Sequence, residues 1–452
     1  MFIKTQKFLI IGASKSGSAV ANYLLNNRSK CYIYEELKTQ KVQASVDRLV
    51  SLGAQIVDDS NVEEILRKVD AVVISPGVAI NHRVAVKAKN LGVRIIGELE
   101  FGVLNLAPTI VGVTGTNGKT TTVSLINAIL KENKIKTALV GNVGKPITSE
   151  IEKIDKNTVC VTEISSFQLE SVQSICPHIS CVLNIAPDHL ERHYSMENYV
   201  YLKKKLLKNQ TATEYTVLNY DDEIVKSFHL ESNAKPIFVS LKEQVDGAYL
   251  VGDKIYYRNE FIIHINELPL IGEHNVYNCM FAIVVAKLLG VNKKVITSAL
   301  KAFKGVKHRI ELVNEIQGVK YYNDSKATNT ASTISAIRTM KLPTVLMLGG
   351  SEKGEKYDTL FQEIIKSNVK HVVLMGDSRF HMLESAMAQG YKNVTLTEEF
   401  SVALKVANIF AQKGDCVLLS PACASFDKFS SYEERGEFYC KEIENLIGNS
   451  NA

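Results

Sequence analysis

No two cysteines stand in a CxxC pair. The eight, Cys31, Cys160, Cys176, Cys181, Cys279, Cys416, Cys423 and Cys440, are single, and Cys160 lies in the apolar run TVCVTEI. Free, buried thiols in a reducing compartment are expected. No apolar run reaches the length needed to span a membrane. The opening MFIKTQKFLIIGASKSG has too short an apolar run for a signal peptide and reads on into a βα unit. A cytoplasmic enzyme or binding protein, without a membrane partner, is therefore expected. No long basic block accompanies the net charge of +5, the balance of 53 basic and 48 acidic residues. Nucleic acid is not an expected partner, and small anionic substrates are compatible but not implied. No internal repeat longer than a strand–helix unit and no low-complexity linker interrupts the chain, so the joints between domains must be short.

What is present is ordinary globular material: 452 residues, 46% hydrophobic and 22% charged. One core rarely grows that large, which predicts two or three domains. The most informative stretch is TIVGVTGTNGKTTT, Thr109 to Thr122. An apolar run enters a glycine-rich turn, Lys119 and Thr120 follow at once, and a helix-compatible run comes next. Strand, loop and helix in that order make a mononucleotide site. Backbone N–H groups of Gly115, Thr116, Asn117, Gly118, Lys119 and Thr120 can converge on phosphates, Lys119 can neutralise them, and the Thr120 hydroxyl can hold Mg²⁺. The spacing is not the usual GxxxxGK[ST], because Gly115 and Gly118 are too close together. An accidental glycine-rich turn is the bland alternative.

Along the chain, FLIIGA, then GASKSGSAVANYLL, then KCYIYEE read as strand, turn plus helix, and strand. This is a dinucleotide-type opening with Gly12 and Gly17 at the turn, Ser14 in place of the middle glycine, and Glu35 where an acid commonly meets a ribose hydroxyl. A half-Rossmann unit that merely packs fits equally. AVVISPGVA and VRIIG add strands, giving a small parallel-sheet domain over residues 1–97. A second domain, 98–305, holds the phosphate turn. In it, Asn142, Glu163, and Asp188 with His189 each follow a separate strand, at the rim where open α/β sheets gather ligands. Shorter hairpin-like strands then suggest a mixed edge, and helices at 274–289 and 293–303 close the domain. The third domain, 306–452, alternates four strand-then-loop units with helices. The fold class is thus α/β throughout.

Several residues carry more than one reading. Glu163 suits Mg²⁺, which wants oxygen ligands, or simply caps a loop. His189 after Asp188 is as easily a structural hydrogen-bonder, and Mg²⁺ rarely takes imidazole. Lys203, Lys204 and Lys205 look like a solvated helix face for two of the three. A lysine turned toward a metal makes sense only if its amine becomes an acid group. Lys326 in NDSKATN and Lys353 in GGSEKG could meet an anion or face water. The SPACASFD loop suits tight enclosure of a small ligand, and no legible His–Cys pairing supports a nucleophilic Cys423.

Taken together, GTNGKTT, the Glu163 strand, NIAPDHLERH, GEHNVYN, His308-Arg309, NDSKATN and GGSEKG recur in the order of the Mur ligases, which the chain resembles over all three domains. NDSKATN with SPACASFD points to the branch that adds D-glutamate. The resemblance implies an N-terminal Rossmann-like domain, a central P-loop-type ATPase sheet domain and a C-terminal Rossmann-like ligase domain. It implies the substrates UDP-N-acetylmuramoyl-L-alanine, D-glutamate and ATP, two Mg²⁺ ions, and a monomer. Ser14, Lys15, Ser16, Gly17, Glu35, Ser75, Pro76 and Gly77 would hold the UDP part, and Asn142 would face the muramoyl substrate. Lys119, Thr120 and Thr121 would meet ATP phosphates. Thr120 and Glu163 would bind the first Mg²⁺ and His189 the second. Lys203, one turn after Tyr199, matches the carbamylated lysine of the family. Asn275 would contact phosphate, and Asn278, Arg309 and Asp324 the adenine nucleoside. Lys326 and Thr328 would approach phosphates and D-glutamate, while Lys353, Ser425 and Tyr432 would line the D-glutamate carboxylates. Ser14, Glu35 and Tyr432 depart from the family's usual Gly, Asp and Phe. Folylpolyglutamate synthase lacks such a first domain, which leaves the L-alanine-adding ligase as the nearest alternative.

Overall fold

The strands segregate into three sheets in the computed structural model, which describes residues 6–450 apart from 38, 107, 271, 353 and 355. The first sheet comprises β1 (Lys7–Ile11), β2 (Lys30–Tyr34), β3 (Gln55–Val57), β4 (Ala71–Ile74) and β5 (Arg94–Gly97). Their order is β3-β2-β1-β4-β5, every pairing parallel. Phe8 and Ile10 of β1 join the core on one face, Leu9 and Ile11 that on the other. Burial on both faces explains why these strands read as unbroken apolar runs. The order puts β1 where the winding reverses, the place at which such sheets open a crevice. A side chain at Gly17 would collide with the Gly12 carbonyl oxygen, so the helix Lys15–Asn26 can start this close to β1 only with glycine there.

The second sheet comprises β6 (Thr109–Thr114), β7 (Thr137–Gly141), β8 (Val159–Glu163), β9 (Ile179–Val182), β10 (Tyr215–Asn219), β11 (Lys235–Ser240), β12 (Gly247–Val251), β13 (Lys254–Tyr257) and β14 (Glu260–His264). The order is β14-β13-β12-β11-β10-β9-β6-β8-β7. Pairings from β7 through to β12 are parallel, and β12–β13 and β13–β14 are antiparallel, so the mixed edge expected from the hairpin-like turns is present. The helices expected to close this region run Glu273–Leu288 and Lys293–Ala302.

The third sheet comprises β15 (Glu311–Ile316), β16 (Val319–Asn323), β17 (Thr344–Gly349), β18 (Val369–Met375), β19 (Val394–Leu396) and β20 (Cys416–Leu419), in the order β15-β16-β20-β17-β18-β19. Only β15 is antiparallel to its neighbour. The four strand-then-loop units are β16, β17, β18 and β20. Sequence pattern passed over β3 and β19, which span three residues each, and β15, whose side chains are all at least partly exposed. None presents a continuous apolar run.

The chain forms two compact units. One contains the first two sheets, and the other contains the third sheet with residues Pro269–Val276. Within the first unit, polar tethers join the sheets: Lys15 Nζ donates to the Gly144 carbonyl at 2.8 Å, and Asn81 Nδ2 to the Tyr194 hydroxyl at 3.0 Å. Glu98, in the helix Glu98–Leu104, accepts from Thr148 N and Oγ1 at 2.8 and 2.7 Å on Oε1. No helix among the described residues is long and apolar enough to cross a membrane. Six cysteines are buried thiols outside any disulfide, as expected, while Cys176 is exposed and Cys440 half-buried.

Glu98 is 1% exposed, and its Oε2 has no hydrogen-bond partner among the described residues. Burial pushes its carboxyl above the ordinary range, against the opposing pull of the Thr148 bonds. The folded state therefore holds this proton more tightly than the unfolded state. Its contribution to stability falls as pH rises past the unfolded value of about 4.3. Glu98→Gln keeps an oxygen for Thr148 and removes the charge. It is expected to melt higher than wild type, by a margin that grows between about pH 4 and pH 7. Thermal melts across that range check it, and a margin that shrinks with pH contradicts it.

Candidate active site

The Gly115–Thr120 turn leaves the end of β6 and opens the helix Lys119–Glu132. Gly118 has φ +86°, and a Cβ there would strike the Asn278 Oδ1, so the turn requires glycine on two counts. The Thr122 hydroxyl donates to the same Oδ1 at 3.1 Å. Asn184, just beyond β9, clamps the turn from the side. Its carbonyl accepts from Thr116 N at 2.9 Å, its Oδ1 from Asn117 N at 2.8 Å, and its Nδ2 donates to Asn117 O at 3.1 Å. The Thr116 hydroxyl lies 3.1 Å from that of Tyr199.

Three strand ends then deliver polar groups to one rim. Thr120 Oγ1 donates to Glu163 Oε2 at 2.7 Å, at the end of β8, and Asn142 Nδ2, beyond β7, donates to Glu163 Oε1 at 2.8 Å. Glu163 is 2% exposed. Lys119 Nζ donates to the Gly115 and Thr116 carbonyls, both at 2.7 Å. Lys203 arrives from the helix Met196–Lys204 and donates to the same Gly115 oxygen at 2.8 Å, with its amine 4.5 Å from the centre of the Tyr199 ring. Lys203 is 1% exposed. Burial, followed by the nearby Lys119 charge, drives its pKa well below the ordinary lysine value, against the pull of Asp188 and Glu163. A neutral amine is nucleophilic and can take up CO₂ as a carbamate.

His189 opens the short helix Leu190–His193 in the left-handed region, φ +54°. Its ring packs 4.8 Å from that of Phe167, and its nitrogens lie 3.6 Å from Asp188 and 3.5 Å from Glu191. Lys204 pairs with Glu231, whereas Lys205 is half-buried and donates to the Leu169 and Glu170 carbonyls, the latter at 3.0 Å. The expectation of a solvated face thus fails for Lys205, because the end of the helix Ser166–Glu170 packs over it and needs donors for its last carbonyls. In the first sheet's rim, Ser75 Oγ donates to Gly12 O at 2.6 Å, and the Glu35 carboxylate accepts from Ala13 N and Leu37 N.

In the second unit, two loops at neighbouring strand ends are joined by one guanidinium. Arg435 donates from Nε to Ser325 Oγ at 2.9 Å and from Nη2 to Ser325 O at 2.8 Å. It also reaches Ala424 O at 3.1 Å and Cys423 O at 3.0 Å. NDSKATN and SPACASFD are thereby held side by side. Burial pulls the Arg435 pKa down to about 10. Asp324 is buried and accepts from Ile310 N at 3.2 Å and Ser420 Oγ at 2.7 Å. Burial pushes its carboxyl up to about 6, with the Arg309 charge opposing. Lys326 Nζ donates to the Tyr432 hydroxyl at 2.8 Å, and Thr328 N to Lys326 O at 2.9 Å. Ser425 is buried beside them in the sequence of that loop.

Residues 6–97 match the family model described as the Mur ligase MurD-like N-terminal domain, 113–286 the Mur ligase middle domain, and 308–423 the Mur ligase glutamate ligase domain. Curated relatives match end to end. UDP-N-acetylmuramoylalanine–D-glutamate ligase of Caldanaerobacter subterraneus subsp. tengcongensis is 38% identical, covering 99% of this chain and 100% of the relative. That of Clostridioides difficile is 39% identical over the same shares. The chain belongs to the Mur ligase family. Among solved structures, this Mur ligase is similar to UDP-N-acetylmuramate-alanine ligase MurC of Thermotoga maritima, at 19% identity and TM-score 0.64 over 98% and 100% of the two chains. It is also similar to MurF ligase of Thermotoga maritima in complex with ADP, at 15% identity and TM-score 0.62 over 99% and 100%. At these identities the likeness bears on the three-domain α/β architecture alone. Membership carries the coarse activity, ATP-dependent joining of an amino acid in peptidoglycan precursor synthesis.

In this ligase, Gly115 to Thr120, Asn142, Glu163, Lys203 and Asn278 lie in one hydrogen-bonded neighbourhood of the first unit. Asp324, Lys326, Thr328, Ser425 and Tyr432 belong to the second unit, with Arg309 and Asn275. Lys353 lies outside the described residues. Sequence reading missed Asn184, although the rim argument that found Glu163 applies to it. It also missed Arg435, whose setting YEERGE reads as a solvated charge run. Arg435→Ala removes the guanidinium donors of Ser325 O and Cys423 O, while Ala424 O keeps the Ser351 N–H, and should cost roughly 3 kcal/mol or more. Calorimetric unfolding checks this, and an unchanged melting temperature contradicts it.

Proposed function

We propose that this Mur ligase joins D-glutamate to UDP-N-acetylmuramoyl-L-alanine, converting ATP to ADP and orthophosphate. The observation that carries the choice of amino acid is the Arg435 clamp, which brings NDSKATN and SPACASFD, the two stretches that point to the D-glutamate branch, into one place. The curated relatives at 38 and 39% identity, named for that reaction, support it.

The chemistry sets clear demands. A carboxylate is a poor electrophile. The L-alanine carboxylate of the nucleotide substrate attacks the γ-phosphorus of ATP, the bond to the β,γ-bridging oxygen breaks, and an acyl phosphate and ADP result. Lys119 and the N–H groups of the turn offset charge on the phosphoryl oxygens. The neutral amine of D-glutamate then attacks the acyl carbon, and orthophosphate leaves from the tetrahedral intermediate. His189 or a nearby carboxylate takes the amine's proton. An acyl phosphate hydrolyses readily, so water must be kept away from it until the amine attacks.

The donor set fits magnesium: Thr120 and Glu163 already touch, both offering oxygen beside the phosphate-binding lysine. Among the described residues no group of three His, Cys, Asp or Glu side chains is arranged to hold a metal. Mg²⁺ bound to a nucleotide, however, takes most of its ligands from phosphate and water. Thr120 and Glu163 would hold the first ion, His189 and a carbamate on Lys203 the second. Bound there, the ions would neutralise charge as the phosphoryl group moves. The buried, neutral-leaning Lys203 amine suits carbamate formation. We place the enzyme in the cytoplasm as a monomer, in keeping with its phosphorylated substrates and a reaction whose proposed residues all come from one chain.

A second reading, the L-alanine-adding sibling, shares the acyl-phosphate route. Orthophosphate release with UDP-N-acetylmuramoyl-L-alanine, compared for D-glutamate, L-glutamate and L-alanine, separates them. Release with D-glutamate alone is expected, and release requiring L-alanine would overturn the reading. Lys203→Ala should lose ligation by about a hundredfold or more and recover part of it with added short carboxylic acids. Full activity without them refutes the role of Lys203.

A further inference from the structure

The helix Leu190–His193 is four residues long and is bracketed by two non-glycine residues in the left-handed region, His189 at φ +54° and Tyr194 at φ +65°. A single turn is unfavourable on its own, and each non-glycine residue in the left-handed region adds strain. Support comes from outside the segment. The Phe167 ring carries the Arg192 guanidinium at 4.1 Å and the His189 and His193 imidazoles at 4.8 and 5.5 Å. Arg192 forks onto Glu170, Nε to Oε1 at 2.9 Å and Nη2 to Oε2 at 2.6 Å. Its remaining donors cross to the first sheet, where Nη2 reaches Val78 O at 3.0 Å and Nη1 reaches Gly77 O at 3.4 Å. The two side chains are 14% and 9% exposed, so this ion pair is largely withdrawn from water.

We propose that Arg192 is a positioning residue. Its guanidinium fixes the Ser75-Pro76-Gly77 turn, beyond β4 on the first rim, against the His189 loop on the second rim. It thereby sets the span across which the nucleotide-sugar substrate is held. What crosses the span rests on the function proposed above; the span itself rests on the contacts. A planar guanidinium serves both oxygens of a carboxylate and two carbonyls at once, one bond more than the three donors of an ammonium can make, so lysine is an incomplete substitute. A loss of register of about 1 Å in such a holding site weakens catalysis by as much as about a hundredfold.

The test uses the full chain with Arg192→Ala, Arg192→Lys and, as a milder variant that keeps the Phe167 stack, Glu170→Gln. In Arg192→Ala the KM for UDP-N-acetylmuramoyl-L-alanine is expected to rise about tenfold or more while the KM for ATP stays within about twofold. Arg192→Lys should recover less than half of the loss on a logarithmic scale. Amide hydrogen exchange at residues 77–82, measured without substrate, should speed up in all three variants. Equal rises in both KM values, or exchange at 77–82 unchanged in Arg192→Ala, overturn the proposal. If Arg192→Ala fails to fold, Glu170→Gln decides by the same two readouts. Wild-type protein inactive on this sugar nucleotide would refute the substrate reading alone, and the exchange measurement would still decide whether Arg192 holds the turn.

Discussion

Two lysine amines meet at one backbone oxygen. Lys119 Nζ and Lys203 Nζ both donate to the Gly115 carbonyl, at 2.7 and 2.8 Å. Two ammonium groups on one acceptor repel, and the repulsion grows where water is excluded. Burial first, and the neighbouring Lys119 charge second, push the Lys203 pKa well below the ordinary lysine value. The phosphate turn and the lysine one turn beyond Tyr199 are therefore a single electrostatic unit. Gly118, held in its left-handed conformation against Asn278, fixes the turn's shape. Without that fixed shape the two amines would not share an acceptor.

Around this point the fold brings chemistry together by strand ends. β6, β7, β8 and β9 are neighbours in one sheet, and their carboxyl ends supply Gly115, Asn142, Glu163 and Asn184. Thr120 and Asn142 satisfy the Glu163 carboxylate and Asn184 is satisfied by the Asn117 backbone, so the rim is a polar network that specifies one arrangement. The second unit repeats the device with a different connector: there a buried arginine, and not a lysine pair, ties the loops that follow β16 and β20.

Much of this was legible in the chain because the informative residues are adjacent in sequence. Gly-Lys-Thr at a strand–helix junction is local chemistry, and the alternation of apolar runs with helical periodicity is local pattern. β3, β15 and β19 were not legible, since short or half-exposed strands are made by their neighbours and not by their own composition. Arg192, Lys205 and Arg435 were not legible for the same reason. Charged side chains in helical runs read as solvated, and only long-range packing turns them inward onto backbone carbonyls. The residues that sequence alone found are those proposed to face the reactants, and the ones it missed hold neighbouring loops in place.

The reaction proposed for this rim makes a bond between a carboxylate oxygen and the γ-phosphorus of ATP. The sugar nucleotide can be prepared with ¹⁸O in the L-alanine carboxylate and turned over with ATP, magnesium and D-glutamate, and the orthophosphate can then be weighed by mass spectrometry. Transfer through an acyl phosphate puts one heavy oxygen into each orthophosphate released. Orthophosphate free of the label would contradict it.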